Sequence, residues 1–117
     1  MKYQVYFTAI FKRRIKKLSK RYPHIKQDFS NLLDQIEKGN FQGDRIQGFQ
    51  GKVFKIRVAS SDQQRGKSGG FRFIYYVNFS DSTAYMMTVY AKSSQENISS
   101  RQKQEIEKFI KILSMES

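Results

Sequence analysis

The chain has no cysteine, no tryptophan, one proline, one histidine, and only 10 Asp and Glu against 22 Lys and Arg. Without cysteine there is neither a disulfide nor a thiolate nucleophile, which suits a reducing compartment. One histidine and no cysteine speak against a zinc site, and no metal or other cofactor is expected. No apolar run approaches the roughly 18 residues a membrane span needs. The opening Met-Lys-Tyr-Gln-Val-Tyr-Phe lacks the continuous apolar stretch of a signal peptide. A cytoplasmic location without a membrane partner is the expectation. No carboxylate cluster and no Ser–His–Asp set is visible. The shortage of acids leaves a net charge of +12 and a pI near 10.0. Such self-repulsion is usually tolerated because the partner is a polyanion. Nucleic acid ranks first, an anionic membrane surface second and an acidic protein third.

What is present is enough to fold. The 117 residues are 38% hydrophobic, with seven Tyr and ten Phe, and fit one domain spanning 1–117. Residues 2–6 alternate as a short strand. Phe7, Phe11, Ile15, Leu18 and Tyr22 then recur at helical spacing, and Pro23 ends that helix. A second helix begins at Pro23, buries Ile25, Phe29, Leu32, Leu33 and Ile36, and stops at Gly39. Residues 40–51 read as a glycine-punctuated loop anchored by Phe41, Ile46 and Phe49.

Three strands follow. In 52–59 the residues Phe54, Ile56 and Val58 oppose Lys55 and Arg57. In 71–79 the residues Phe71, Phe73, Tyr75, Val77 and Phe79 oppose Arg72, Ile74, Tyr76 and Asn78. In 83–92 strict alternation puts Tyr85, Met87 and Val89 inward and Met86, Thr88, Tyr90 and Lys92 opposite. A last helix opens near Ser99, whose spacing to Gln102 suits a capping box, and buries Ile106, Phe109, Ile110 and Leu113. The layout β-α-α-β-β-β-α is an α+β domain: an antiparallel sheet packed by a helical hairpin plus a C-terminal helix. The hairpin should cover one sheet face and leave the basic face at least partly open.

The candidate chemistry lies on that basic face. Lys55 and Arg57 are two apart on one strand, about 6.5–7 Å from each other, and can bracket a phosphate. An amphipathic strand with a solvated basic face is the plain alternative. Arg72 sits mid-sheet, where a guanidinium requires a counter-charge, water or a ligand. Residues 45–92 hold eight Lys and Arg but only Asp62 and Asp81, which favours an external anion. Tyr90 and Lys92 lie on one face at the end of the last strand; Tyr90 suits stacking on a base or acid/base work, with core packing the plain alternative for any one tyrosine, while Tyr75 belongs to the core. Gly66-Lys67-Ser68 resembles a P-loop, but Ser61 replaces its first glycine and a strand follows rather than a helix. Lys52, Arg65 and Lys67 are expected instead to follow a nucleic-acid backbone by charge. Lys12, Arg13, Lys16 and Lys17 of the first helix are a further nucleic-acid-binding cluster for structured RNA, a docking face for an acidic protein, or a solvated face. His24 carries no catalytic role. These tools suit one reaction: attack by an RNA 2′-OH on its neighbouring phosphate, with protein cations stabilising the phosphorane.

Several motifs, in this order, resemble the RelE/HigB branch of bacterial type II toxin–antitoxin toxins over nearly the whole chain. They are Lys-Lys-Leu-Ser-Lys-Arg-Tyr-Pro at 16–23, Lys-Ile-Arg-Val-Ala-Ser at 55–60, Gly-Lys-Ser-Gly-Gly-Phe-Arg-Phe-Ile-Tyr-Tyr at 66–76 and Thr-Val-Tyr-Ala-Lys at 88–92. The resemblance implies a metal-independent endoribonuclease that cuts mRNA in the ribosomal A site, contacts rRNA there, and is neutralised by an antitoxin. Lys55 and Arg57 match the family's paired basic positions, Arg72 its central-strand arginine, and Lys92 its basic position after the last strand. RelE-type members carry an arginine after that lysine and a tyrosine in the C-terminal segment, where this chain has Ser93 and Ser99. HigB-like members place a tyrosine at the end of the last strand, as Tyr90 stands here. The implied function is a ribosome-dependent mRNA interferase with Lys55, Arg57, Arg72, Tyr90 and Lys92 as catalytic residues. A ParE-like DNA gyrase inhibitor and a non-catalytic RNA-binding module are the alternatives.

Overall fold

The structure is a computed structural model that describes residues 2–63 and 69–116. Arg65, Lys67 and the Gly66-Lys67-Ser68 run lie outside the described residues. In chain order the elements are β1 (Gln4–Phe7), α1 (Ala9–Ser19), α2 (Ile25–Asp28), α3 (Ser30–Glu37), β2 (Asp44–Arg45), β3 (Lys52–Val58), β4 (Phe71–Asn78), β5 (Thr83–Ala91) and α4 (Ser100–Glu116).

The helical hairpin forms with sharper punctuation than the sequence suggests. Thr8 caps α1 by accepting the Phe11 N–H at 3.2 Å, and its hydroxyl also donates to the Met86 carbonyl at 3.0 Å. The helix closes at Ser19, ahead of Tyr22, with the Arg21 and Tyr22 N–H groups turning back onto the Leu18 carbonyl. The expected single helix from Pro23 is instead two, α2 and α3, broken at Phe29. There φ and ψ move to −101° and 4°, and the ring enters the core 5.1 Å from Phe73 and 5.9 Å from Phe11. Packing decides that backbone, which periodicity alone does not resolve. Gly39, at φ 83°, ends α3 in a Schellman arrangement: its N–H reaches the Ile36 carbonyl and that of Asn40 reaches Gln35.

The five strands lie in the order β1-β5-β4-β3-β2. From β2 to β5 the sheet is antiparallel, while β1 joins β5 in parallel, Gln4 against Thr83 through Phe7 against Met86. A parallel neighbour needs a long crossover, which the hairpin and the intervening strands supply. The two-residue β2, paired with Phe54 and Lys55, was not legible in the glycine-rich 40–51 segment. Its anchors nevertheless behave as expected: Phe41 packs on the hairpin side, and Ile46 and Phe49 on the other.

Two cores sandwich the sheet. Phe11, Ile15, Phe29 and Ile36 meet Phe71, Phe73, Tyr75 and Val77 under the hairpin. On the second face α4 lays Ile106 and Ile110 over Val53, Ile74, Met87 and Tyr90, so this face is less open than expected. Burial of each such aliphatic side chain contributes roughly 1.5–3 kcal/mol. The Ser99–Gln102 capping box holds the start of α4 from both sides, at 3.1 and 3.0 Å.

Strict alternation fails in one place. Ile74 pairs with Thr88 and Tyr75 with Met86, leaving Met87 as a β-bulge. Met86 therefore faces the hairpin, and Tyr85 and Met87 face α4, the reverse of the expectation for these three residues. Val89 and Tyr90 keep their expected sides.

The single histidine is structural. His24 Nδ1 lies 2.7 Å from Asp62 Oδ1, and its backbone N–H donates to Oδ2 at 2.8 Å, tying the α1–α2 corner to the segment after β3. Hydrogen bonding to Asp62, then its charge, raises the His24 pKa above 6.5 and lowers that of Asp62. A raised histidine pKa stabilises below the unfolded value and is lost as pH rises through the folded one; a lowered aspartate pKa stabilises above its unfolded value and is lost on acidification. The pair is therefore complete between the two. An NMR titration should place the His24 midpoint above 6.5, and Asp62→Asn should bring it back down.

Candidate active site

Register alone sets the site. Arg57 is the partner of Arg72 across β3–β4, and Arg72 is the partner of Tyr90 across β4–β5. Directly opposed residues project to one face, so Arg57, Arg72 and Tyr90 form a single row over three strands. The next row is Lys55, Ile74 and Thr88, which puts Lys55 diagonal to Arg72. Beyond it lie Val53, Tyr76 and Tyr85, about 13 Å from the first row. Ile106 and Ile110 sit on Val53 and Ile74, while Arg57 is exposed and Lys55 and Arg72 half-buried.

Like charges directly opposed on neighbouring strands are destabilising. Arg57 and Arg72 are cross-strand partners of like charge. Among the described residues no carboxylate pairs with Arg72, whose guanidinium makes only a 3.4 Å hydrogen bond to the Phe71 carbonyl. The arrangement suits an anion placed between the two guanidiniums.

Tyr90 adds a proton-transfer group. It is 4% exposed, and its hydroxyl has no hydrogen-bond partner among the described residues. Burial raises its pKa, and the Arg72 guanidinium pulls in the opposite direction. The phenol carries its proton at neutral pH, and the Arg72 charge favours its giving that proton up. Tyr75, by contrast, is a core residue whose hydroxyl donates to the Gln42 carbonyl at 2.5 Å. Burial pushes its pKa well up.

The other sequence candidates scatter. Lys92 follows β5, its N–H on the Gly70 carbonyl and its ammonium 2.8 Å from the Glu96 carbonyl, so it organises the turn beside the row. Gly70 has φ 79°, and a Cβ there would stand 2.6 Å from the Val58 carbonyl, which makes it the close hinge ahead of Arg72. Lys52 pairs with Val77, on the hairpin side and far end of β3, with its ammonium 5.2 Å from the Phe79 ring. The structure does not bring it to the row. Lys12, Arg13, Lys16 and Lys17 are exposed on α1, across the sheet. Only Lys17 approaches, lining with Arg14, Tyr90 and Gln95 a cavity of about 300 Å³ along the open edge of β5.

Arg14 is the residue the sequence reading passed over. It reaches past that edge to Thr88 Oγ1 at 2.6 Å and Glu105 at 3.4 Å, fastening α1, β5 and α4 together next to Tyr90. Its position three after Phe11 and four before Leu18 sets it on the flank of the apolar stripe, a signal that it faces protein rather than solvent. Among the described residues no three His, Asp or Glu side chains gather as metal ligands, and no helix is long and apolar enough to cross a membrane.

The family model described as RelE toxin of the RelE / RelB toxin-antitoxin system matches residues 4–117. The chain belongs to the RelE toxin family. That membership implies an antitoxin as partner. A solved structure of a mutant of the E. coli toxin RelE in the free state is similar in fold, with a TM-score of 0.58 and 18% identity over 90% of this chain and 94% of that one.

Since the Tyr90 hydroxyl has no partner among the described residues, Tyr90→Phe should leave the thermal midpoint unchanged or raise it. A hydrogen-bonded tyrosine would lose roughly 0.5–1.5 kcal/mol in the same substitution.

Proposed function

We propose that this RelE-family toxin is a ribosome-dependent mRNA endonuclease acting in the A site without a metal. The observation that carries the reading is the Arg57–Arg72–Tyr90 row with Lys55 diagonal to it. Two guanidiniums and an ammonium would hold the scissile phosphate and the charge that builds on its oxygens. The RNA supplies its own nucleophile. Its 2′-oxygen bonds to phosphorus, the bond from phosphorus to the 5′-oxygen breaks, and the products are a 2′,3′-cyclic phosphate and a 5′-hydroxyl. Tyr90, protonated at neutral pH and beside the Arg72 charge, would give its proton to the departing 5′-oxygen. Lys92 would take part from the adjoining turn by fixing residues 92–96, and the proton leaving the 2′-oxygen would pass to solvent water.

Two features support this over a gyrase-binding or purely RNA-binding role. Arg57 and Arg72 stand at partnered positions of neighbouring strands, and two cations so placed suit a phosphate held between them. A buried phenol without a hydrogen bond is a cost that proton transfer explains. The antitoxin would act by denying the ribosome this face or the protein as a whole.

Primer extension on mRNA from cells expressing the chain should show cuts in translated frames. Arg72→Ala should reduce cleavage by about 10²–10³-fold while the protein stays folded. Undiminished cutting by soluble Arg72→Ala, or loss of DNA synthesis with translation intact, would overturn the reading.

A further inference from the structure

β1 pairs with β5 only as far as Met86, so from Thr88 onward the outer edge of β5 has no strand beside it. The cavity along that edge, about 300 Å³, is at the lower end of the roughly 300–1,000 Å³ of small-molecule sites. Leu18, Val89 and Ala91 give it an apolar wall, and Lys17, Gln95 and Gln102 a polar one. Among the described residues no carboxylate lines it. Tyr90 belongs both to this lining and to the arginine row, so the two are contiguous.

Two side-chain amides stand there in fixed orientation. Gln102 is 6% exposed, and its Oε1 accepts the Ser99 N–H at 3.0 Å and a Gln95 amide hydrogen at 2.9 Å. Gln95 Nε2 also donates to the Asn97 carbonyl at 2.8 Å. A backbone donor thus decides which end of Gln102 is oxygen, and a backbone acceptor which end of Gln95 is nitrogen. Among the described residues nothing takes up the Gln95 side-chain oxygen or the Gln102 amino group. The pair offers one acceptor and one donor group.

We propose that this cavity receives one RNA base, that of a nucleotide adjoining the scissile phosphate, with Gln95 and Gln102 reading its edge. A base turned out of its stack has a flat apolar face and an edge of donors and acceptors. Leu18, Val89 and Ala91 cover the face, the two amides meet the edge, and Lys17 meets the backbone. A bare phosphate would leave the apolar wall wet, and an aliphatic ligand would leave both amides unpaired. The edge of β5 lies one and a half strand spacings, about 7 Å, from the midpoint between Arg57 and Arg72, a span one nucleotide covers. The inference rests on the endonuclease reading for its substrate and adds base selection to it.

The test titrates the full chain with each of the four nucleoside 3′-monophosphates and with ribose 5-phosphate, which has no base. At least one nucleotide should shift the amide resonances of Val89, Ala91, Gln95 and Gln102, and ribose 5-phosphate should leave them in place. Gln95→Ala should weaken that nucleotide about two- to ten-fold, the loss of one hydrogen bond. Ser94→Leu, at an exposed position of the lining, should weaken it by filling space while the amide pair stays intact. In cells the unaltered chain should favour one base beside the cut, and Gln95→Ala should flatten that preference while cutting continues. No shift at these residues, the same shift with ribose 5-phosphate, equal affinity in both variants, or an unchanged preference would overturn the inference and leave the cleavage reading standing. If the unaltered chain cuts nothing, the cleavage reading falls, and the nucleotide titration decides the pocket by itself.

Discussion

Antiparallel register across β3, β4 and β5 is the constraint on which the site depends. Backbone hydrogen bonds, and not side-chain contacts, bring Arg57 and Arg72 face to face and set Tyr90 beside them. Two like charges stand at partnered positions there. The strands hold them because Phe71, Phe73, Tyr75 and Val77 lock the opposite face of β4 under the hairpin. Core packing on one side of the sheet therefore supplies the energy that concentrates charge on the other.

The bulge at Met87 is the second element of that design. An unbroken β5 would place Tyr85 and Tyr90, five positions apart, on opposite faces. With one extra residue between them both face α4, where Tyr85 meets Phe109 at 5.2 Å and Tyr90 joins the arginine row. Bulges re-aim side chains near functional sites, and here one strand serves both as a support for α4 and as a carrier of the phenol. Arg14 and Thr8 secure this stretch from the α1 side, at Thr88 and at the Met86 and Met87 carbonyls. The first helix is thereby coupled to the site, which Lys17 alone of its lysines approaches.

Much of this was legible in the sequence. Alternation in 52–59 and 71–79 gives β3 and β4 with their correct faces, and Ser99 and Gln102 announce the start of α4. Gly39 marks the end of α3. The Lys55, Arg57 and Arg72 placement follows from the same alternation. What escaped depends on long-range contacts. No local pattern states that β1 lies parallel to β5, and no periodicity marks Met87 as the residue without a partner. Lys52 looked like its strand neighbours Lys55 and Arg57, yet its odd separation from them puts it on the other face. Tyr90 was legible as the strand-end tyrosine, but its burial depends on α4 crossing that face, which composition does not encode. The lysines of α1 illustrate the converse. Charge alone leaves structured RNA, an acidic protein and plain solvent open as what they face.

The most direct measurement is the position of the phosphate itself. The protein can be trapped on ribosomes programmed with an mRNA whose 2′-oxygen is methylated at the cut position, and the complex imaged at side-chain resolution. The account predicts the blocked phosphate between the guanidiniums of Arg57 and Arg72, with the Tyr90 hydroxyl directed at the 5′-oxygen. A phosphate held instead by the α1 lysines, with Arg72 out of reach, would contradict it.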